Sequence, residues 1–250
     1  MTYPGGKAGA GVTQLIINQQ PPHSEYIEAF LGGGAIMRAK RPASTNVGID
    51  VDGSATHHFL FKYRRPEVQL YSCDAIAYLQ KRREWSGTEL IYCDPPYIMS
   101  TRRSQRQIYL YELDDASHSQ LLAVLQGLPC MVQISGYWSE LYAEALKDWR
   151  LVRFQTTTRG HGVAEECLWM NYPEPTALHD YRFLGSDYRE RERIRRKIRR
   201  HVDTVNSLPH LEKLAMLEAL AGIGSFNVDA GRIAAIDDKR RPIPAETAVA

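Results

Sequence analysis

Residues 94–97 read Asp-Pro-Pro-Tyr and stand directly behind the apolar run Leu90-Ile-Tyr-Cys93. An acid at a strand end, two stiff residues and an aromatic ring suit one kind of chemistry. An aromatic exocyclic amine is a poor nucleophile because its lone pair is spread into the ring. Acceptors on both N–H groups draw the nitrogen toward a tetrahedral form and localise that pair. Asp94 offers one acceptor and the carbonyl of Pro95 offers the other, since proline keeps its C=O. Pro95 and Pro96 fix φ and hold both acceptors still before a substrate arrives. Tyr97 adds a flat face for stacking a base, worth about 1–3 kcal/mol. The four residues are candidates for binding an amino-substituted base, activating its amine and presenting it to an electrophile.

A partner site is legible upstream. Glu28-Ala-Phe-Leu-Gly32-Gly-Gly34 follows a strand-like run and opens a helix, and glycines there allow close backbone approach to a ligand. The dinucleotide fingerprint would need glycine where Met37 stands, so a nicotinamide enzyme is not favoured. Asp50 ends the next run and is placed to accept from two ribose hydroxyls. Asp74 and Asp94 end the two after it, so three carboxylates are expected on one rim. Any one of them could instead cap a helix. Gly5-Gly6-Lys7 is no phosphate loop, because Met1 and Ala8 stand where that motif needs Gly and Ser or Thr.

The elements that must hold these residues follow from periodicity. Apolar runs at 26–30, 47–50, 68–74, 90–94, 131–135, 151–157 and 167–172 alternate with helical stretches near 8–19, 34–40, 53–63, 75–84, 116–126 and 138–146. That alternation predicts an α/β, doubly wound, mostly parallel sheet with its ligand beyond the C-terminal strand ends. Pro173-Glu-Pro175 marks a boundary. The expected organisation is a catalytic domain over 1–175, a small basic helical appendage over 176–225 and a weakly ordered tail over 226–250. Helices are expected at 186–206 and 209–221. Ile194, Ile198, Val202 and Val205 form a narrow apolar seam on the first, suited to docking.

The 250 residues carry a net charge of only +2, with 44% hydrophobic and 24% charged residues. Nine Arg and Lys against three acids fall between 182 and 200, so the remainder of the chain is net acidic. That segment suits a polyanion. No apolar run approaches the ~20 residues a membrane span needs. The N-terminus lacks the pattern of a secretory signal. Cys73, Cys93, Cys130 and Cys167 are widely spaced without a CxxC pair. Free thiols in a reducing cytoplasm are expected, with no metal site.

The ordered motifs resemble the Dam-like DNA adenine methyltransferases, in a short, phage-like form. Tyr3-Pro-Gly-Gly-Lys7 resembles the N-terminal cofactor motif and Glu28 to Gly34 the glycine-rich motif. Gly48-Ile-Asp50 resembles the ribose-binding segment and Asp94 to Tyr97 the catalytic motif. Gln133-Ile-Ser-Gly-Tyr137 and Glu166-Cys-Leu-Trp-Met-Asn-Tyr172 resemble its later strands. Residues 3 to 175 are covered. The resemblance implies a Rossmann-like S-adenosylmethionine-dependent methyltransferase sheet. It implies methyl transfer to the 6-amino group of adenine in DNA, with base flipping. Tyr3, Lys7, Asp50 and Asp94 would lie at the cofactor, Phe30, Gly32 and Gly34 under its methionine part, and Asp74 at its adenine. Asp94, Pro95, Pro96 and Tyr97 would hold the target base.

One departure matters. Only residues 35 to 93 separate Gly34 from Asp94, too few for the helical recognition insert of larger relatives. Nucleic-acid contact is expected instead from Arg102, Arg103 and Arg106 after the catalytic loop, and from Arg195, Arg196, Arg199 and Arg200 in the basic helix. RNA as the substrate, or a binding module without turnover, are the alternatives.

Overall fold

The computed structural model describes residues 7, 11–102, 106–157 and 162–225. Tyr3, Arg103 and the segment 226–250 lie outside them. The chain divides into two compact units, Met1–Ile194 and Arg195–Ala250.

The first unit is built on seven strands: β1 (Glu25–Ala29), β2 (Thr45–Asp50), β3 (Val68–Ser72), β4 (Glu89–Cys93), β5 (Met131–Gly136), β6 (Arg150–Thr157) and β7 (Val163–Met170). Their order is β3-β2-β1-β4-β5-β7-β6. Neighbours from β3 to β5 pair in parallel, and β7 runs antiparallel to both β5 and β6. This is an α/β, Rossmann-like order. The reversal at β1 and β4 is the switch point where such sheets bind ligands.

The strand sequences explain why both faces are covered. Ile27, Ala29, Val47, Ile49, Ile91, Cys93, Val132 and Ile134 point to one face and pack with α4 (Ala75–Lys81), α5 (Asp115–Gln126) and α6 (Glu140–Ala145). Tyr26, Leu90, Tyr92, Leu168 and Met170 point to the other, against α1 (Val12–Ile17), α2 (Ala35–Ala39) and α3 (Gly53–Tyr63). A near-continuous apolar run is what a two-sided strand requires. Short polar residues start the helices. Asp52, Asp74, Asp114 and Ser139 each accept a backbone N–H of the first turn with a side-chain oxygen.

Beyond Pro173–Pro175 the chain still belongs to the first unit. His179 stacks on His23 at 3.8 Å, and Asp180 accepts from the Arg41 N–H at 2.8 Å and from Arg182. The unit boundary falls inside α7 (Tyr188–Asn206), between Ile194 and Arg195. Within α7, Ile198 is 53% and Val202 50% exposed. The helix α8 (His210–Ser225) follows in the second unit. Among the described residues no helix is long and apolar enough to cross a membrane, and no cluster of His, Cys, Asp and Glu could hold a metal ion. Cys93, Cys130 and Cys167 are buried and Cys73 half-buried, all as free thiols.

Candidate active site

A cavity of about 430 Å³ opens at the C-terminal ends of the parallel strands. Because β1, β2, β3 and β4 run the same way, Phe30, Asp50, Asp74 and Asp94 reach it from one edge. The acids expected on one rim are therefore brought together. Gly32, Gly33 and Gly34 form one wall.

The turn after β1 is held in a demanding backbone conformation. Phe30 has φ 64°, Gly32 49° and Gly34 58°. A side chain at Gly34 would meet the Phe59 ring at 2.4 Å, so that position needs glycine for space as well as for φ. Phe30 bears no such exemption, and a left-handed phenylalanine costs on the order of 1–3 kcal/mol unless its surroundings fix it. Asp50 does part of that fixing. Its Oδ2 accepts from the Gly32 N–H at 2.7 Å and its Oδ1 from the Asp52 N–H at 2.9 Å. Burial raises the Asp50 carboxyl above its usual range, against these two hydrogen bonds.

Glu28, 3% exposed, lies deeper on the same wall. Its Oε2 accepts from the Met37 N–H at 2.6 Å and from the Tyr26 hydroxyl at 3.0 Å, tying β1 to α2. Burial pushes its pKa to about 8, with those two donors pulling the other way. Asp74 caps α4 through the Ala77 N–H at 2.7 Å and also lines the cavity, so the cap and the rim position coexist.

The catalytic candidates sit at the end of the central strand β4. Asp94 lines the cavity, Pro95 is buried and Pro96 forms part of the wall. Lys7 reaches both ends of the loop. Its Nζ donates to Asp94 Oδ1 at 2.7 Å and to the Tyr97 hydroxyl at 2.7 Å. The Tyr97 hydroxyl donates to Glu166 Oε2 at 2.8 Å, and the Tyr97 ring meets Tyr137 edge-on at 4.7 Å. Burial raises the Asp94 carboxyl above its usual range and Lys7 opposes the rise. Burial would lower the Lys7 ammonium, but Asp94 and then Glu166 carry it above its ordinary value. Burial, Asp94 and Glu166 keep Tyr97 a neutral phenol, well above the ordinary tyrosine range.

Arg102 requires a correction as a nucleic-acid contact. Its side chain is 6% exposed and forms a two-pronged pair with Glu112 at 2.9 and 2.6 Å. Its Nε donates to the Tyr97 carbonyl at 2.7 Å. A guanidinium so spent fastens the loop behind Tyr97 and has few donors left for a phosphate. Arg106 is exposed, as are Arg195, Arg196, Arg199 and Arg200 in the second unit.

No signal in the chain points to Glu112 beforehand, and Tyr109 is marked only as part of the basic, aromatic segment 100–111 after the catalytic loop. Glu112 accepts from the backbone N–H groups of Ile108 and Tyr109 at 2.9 and 3.1 Å. Burial works against its ionisation, but Arg102 and those two donors bring its pKa down to about 2. The segment thereby lays Tyr109, Leu110 and Tyr111 over the cavity. Tyr137 and Glu166 belong to the later strand motifs, but spacing alone does not aim them at Tyr97.

No protein-family model matches the chain, and no curated protein matches it. Among solved structures, the N-methyltransferase NodS from Bradyrhizobium japonicum WM9 is 13% identical, with 64% of this chain and 93% of that one covered at a TM-score of 0.47. The precorrin 8W decarboxylase of Methanobacterium thermoautotrophicum is 13% identical over 68% and 94%, at 0.45. The 23S rRNA methyltransferase ErmE is 11% identical over 67% and 68%, at 0.44. Similarity at this level lends no weight to a functional reading.

Proposed function

We propose that this chain is an S-adenosylmethionine-dependent methyltransferase that methylates the 6-amino group of adenine in DNA. The observation that carries the reading is Asp94, which shares one cavity with the glycine turn and Asp50, while Tyr97 stands outside the cavity lining and is joined to Asp94 through Lys7. The donor set fits the cofactor. Asp50 spends two of roughly four acceptor positions on the backbone, which leaves capacity for a ribose diol. Val51 and Ile76 offer apolar walls for a base, and Asp74 stands beside them for a base amine.

S-adenosylmethionine supplies an electrophilic methyl group on a cationic sulfur. The protein's part is alignment and activation of the amine. Asp94 and the Pro95 carbonyl accept the two N–H hydrogen bonds and localise the lone pair, and Tyr97 stacks on the base. Tyr137 and Glu166 hold the Tyr97 ring in place. An adenine inside a duplex cannot reach this rim, so the base is flipped out. Arg106, with Arg195, Arg196, Arg199 and Arg200, is assigned to phosphates.

Matched DNA and RNA oligonucleotides incubated with methyl-labelled cofactor test the substrate class. Label in DNA is expected. Label in RNA alone moves the reading to RNA, and cofactor binding without label in either makes the chain a binding module.

A further inference from the structure

Two carboxylates, Asp94 half-buried and Glu166 buried, converge on one ammonium, and only Asp94 belongs to the catalytic loop. Glu166 is 8% exposed and stands on β7, far along the chain from Asp94. Its Oε1 accepts from the Thr156 hydroxyl at 3.0 Å, which sets the carboxylate plane. Its Oε2 accepts from Tyr97 and lies 3.4 Å from Lys7 Nζ, just beyond a full hydrogen bond. Lys7 itself is closer to Asp94, at 2.7 Å.

That preference is awkward for the proposed methyl transfer, on which this inference rests. An ammonium on Asp94 Oδ1 competes with the target amine for the carboxylate's charge, and leaves Oδ2 as the open acceptor. It also stands beside a nitrogen that becomes positive as it takes the methyl group, and like charges this close in a buried site repel strongly. The lysine needs a second anion within reach. Glu166 is that anion, and a movement of well under an ångström closes the pair. Tyr97 is the pivot, since its hydroxyl already touches both groups.

We infer that Glu166 is a positioning residue that takes the Lys7 ammonium from Asp94 when ligand engages the Asp94 carboxylate. Lys7 on Asp94 is the resting pair, and Lys7 on Glu166 is the loaded one. The exchange frees Asp94 Oδ1 for the amine and keeps the buried Lys7 ammonium paired with a carboxylate throughout. It also tightens Tyr97, which keeps its hydrogen bond to Glu166.

Crystals of wild type and Glu166→Gln grown with sinefungin, which carries a cationic amine in place of the cofactor's methyl group, test this. In wild type Lys7 Nζ should lie closer to Glu166 than to Asp94, and in Glu166→Gln it should stay on Asp94. The rate of methyl transfer should fall about 10- to 100-fold in Glu166→Gln, and adding Lys7→Met should recover at least about tenfold of it. Thr156→Val, which loosens Glu166 without removing charge, should give a smaller loss in the same direction. Bound sinefungin with Lys7 still on Asp94, or a double variant slower than Glu166→Gln, overturns the exchange and leaves the methyltransferase reading standing. Failure of wild type to bind sinefungin at all overturns both.

Discussion

Replacing Asp50 separates anchoring from ligand binding. The carboxylate is 6% exposed and already accepts two backbone N–H groups, one of them from the glycine turn. Asp50→Ala removes a charged acceptor from the proposed ribose diol, worth roughly 1.5–3 kcal/mol, so cofactor affinity should fall roughly 10- to 150-fold. It also leaves the buried Gly32 N–H without a partner, at about 1–3 kcal/mol, so the melting temperature should drop by several degrees. Asp50→Asn divides these effects. Its carbonyl still accepts from Gly32 while its NH2 faces the Asp52 N–H and loses that bond, so the fold should lose less than in Asp50→Ala, and the lost charge and the added NH2 still weaken the diol contact. Calorimetric titration with S-adenosylhomocysteine, run beside thermal melts, reads both quantities. Wild-type affinity in a well-folded Asp50→Asn would refute the placement of the ribose.

The same geometry predicts three other outcomes. Asp94→Ala should lower methyl transfer by roughly 10²–10³, the usual loss of ~2.7–4 kcal/mol for one contact to developing charge, without unfolding the chain, and single-turnover rates check it. Glu28 keeps its proton to about pH 8 in the folded state, whereas an unfolded glutamate loses it near 4.5. The folded state therefore binds the extra proton between those values, and stability should fall as pH rises through that window, by at most about 1.4 kcal/mol per unit. Glu28→Gln should flatten the slope in urea midpoints taken across the same pH range. Replacing Arg195, Arg196, Arg199 and Arg200 with Gln should lower the slope of log affinity against log salt by ~3.6 on duplex DNA, with the preferred site unchanged. An unmoved slope would assign DNA binding to the first unit alone.

The sheet is legible in the sequence because its signals are local. Runs such as Leu90–Cys93 are apolar on both faces, and the acids ending them mark where a parallel sheet stops. Asp94 and Pro96 line the cavity because the loop that holds them leaves β4 at that edge. The antiparallel β7 is not legible, because Val163–Met170 has no feature that fixes its direction before β6 pairs with it. Arg102 misleads for a related reason. A basic residue in a basic, aromatic loop suggests a polyanion, and its real partner, Glu112, is ten residues on and recognisable only when the loop closes. The motif around Lys7 points to the cofactor, but its hold on Asp94 and Tyr97 spans almost ninety residues, and no spacing rule reaches that far. Composition places a boundary after Pro175, while Asp180 binds Arg41 across the chain and keeps the next segment with the first unit.

The central claim is that the Asp94–Tyr97 rim moves a methyl group from S-adenosylmethionine to an adenine amine. Nucleoside chromatography of duplex DNA treated with the protein and the cofactor tests it most directly. N6-methyladenine should accumulate with wild type and not with Asp94→Ala. Methyl groups on cytosine, or N6-methyladenine formed equally by both proteins, would contradict the account.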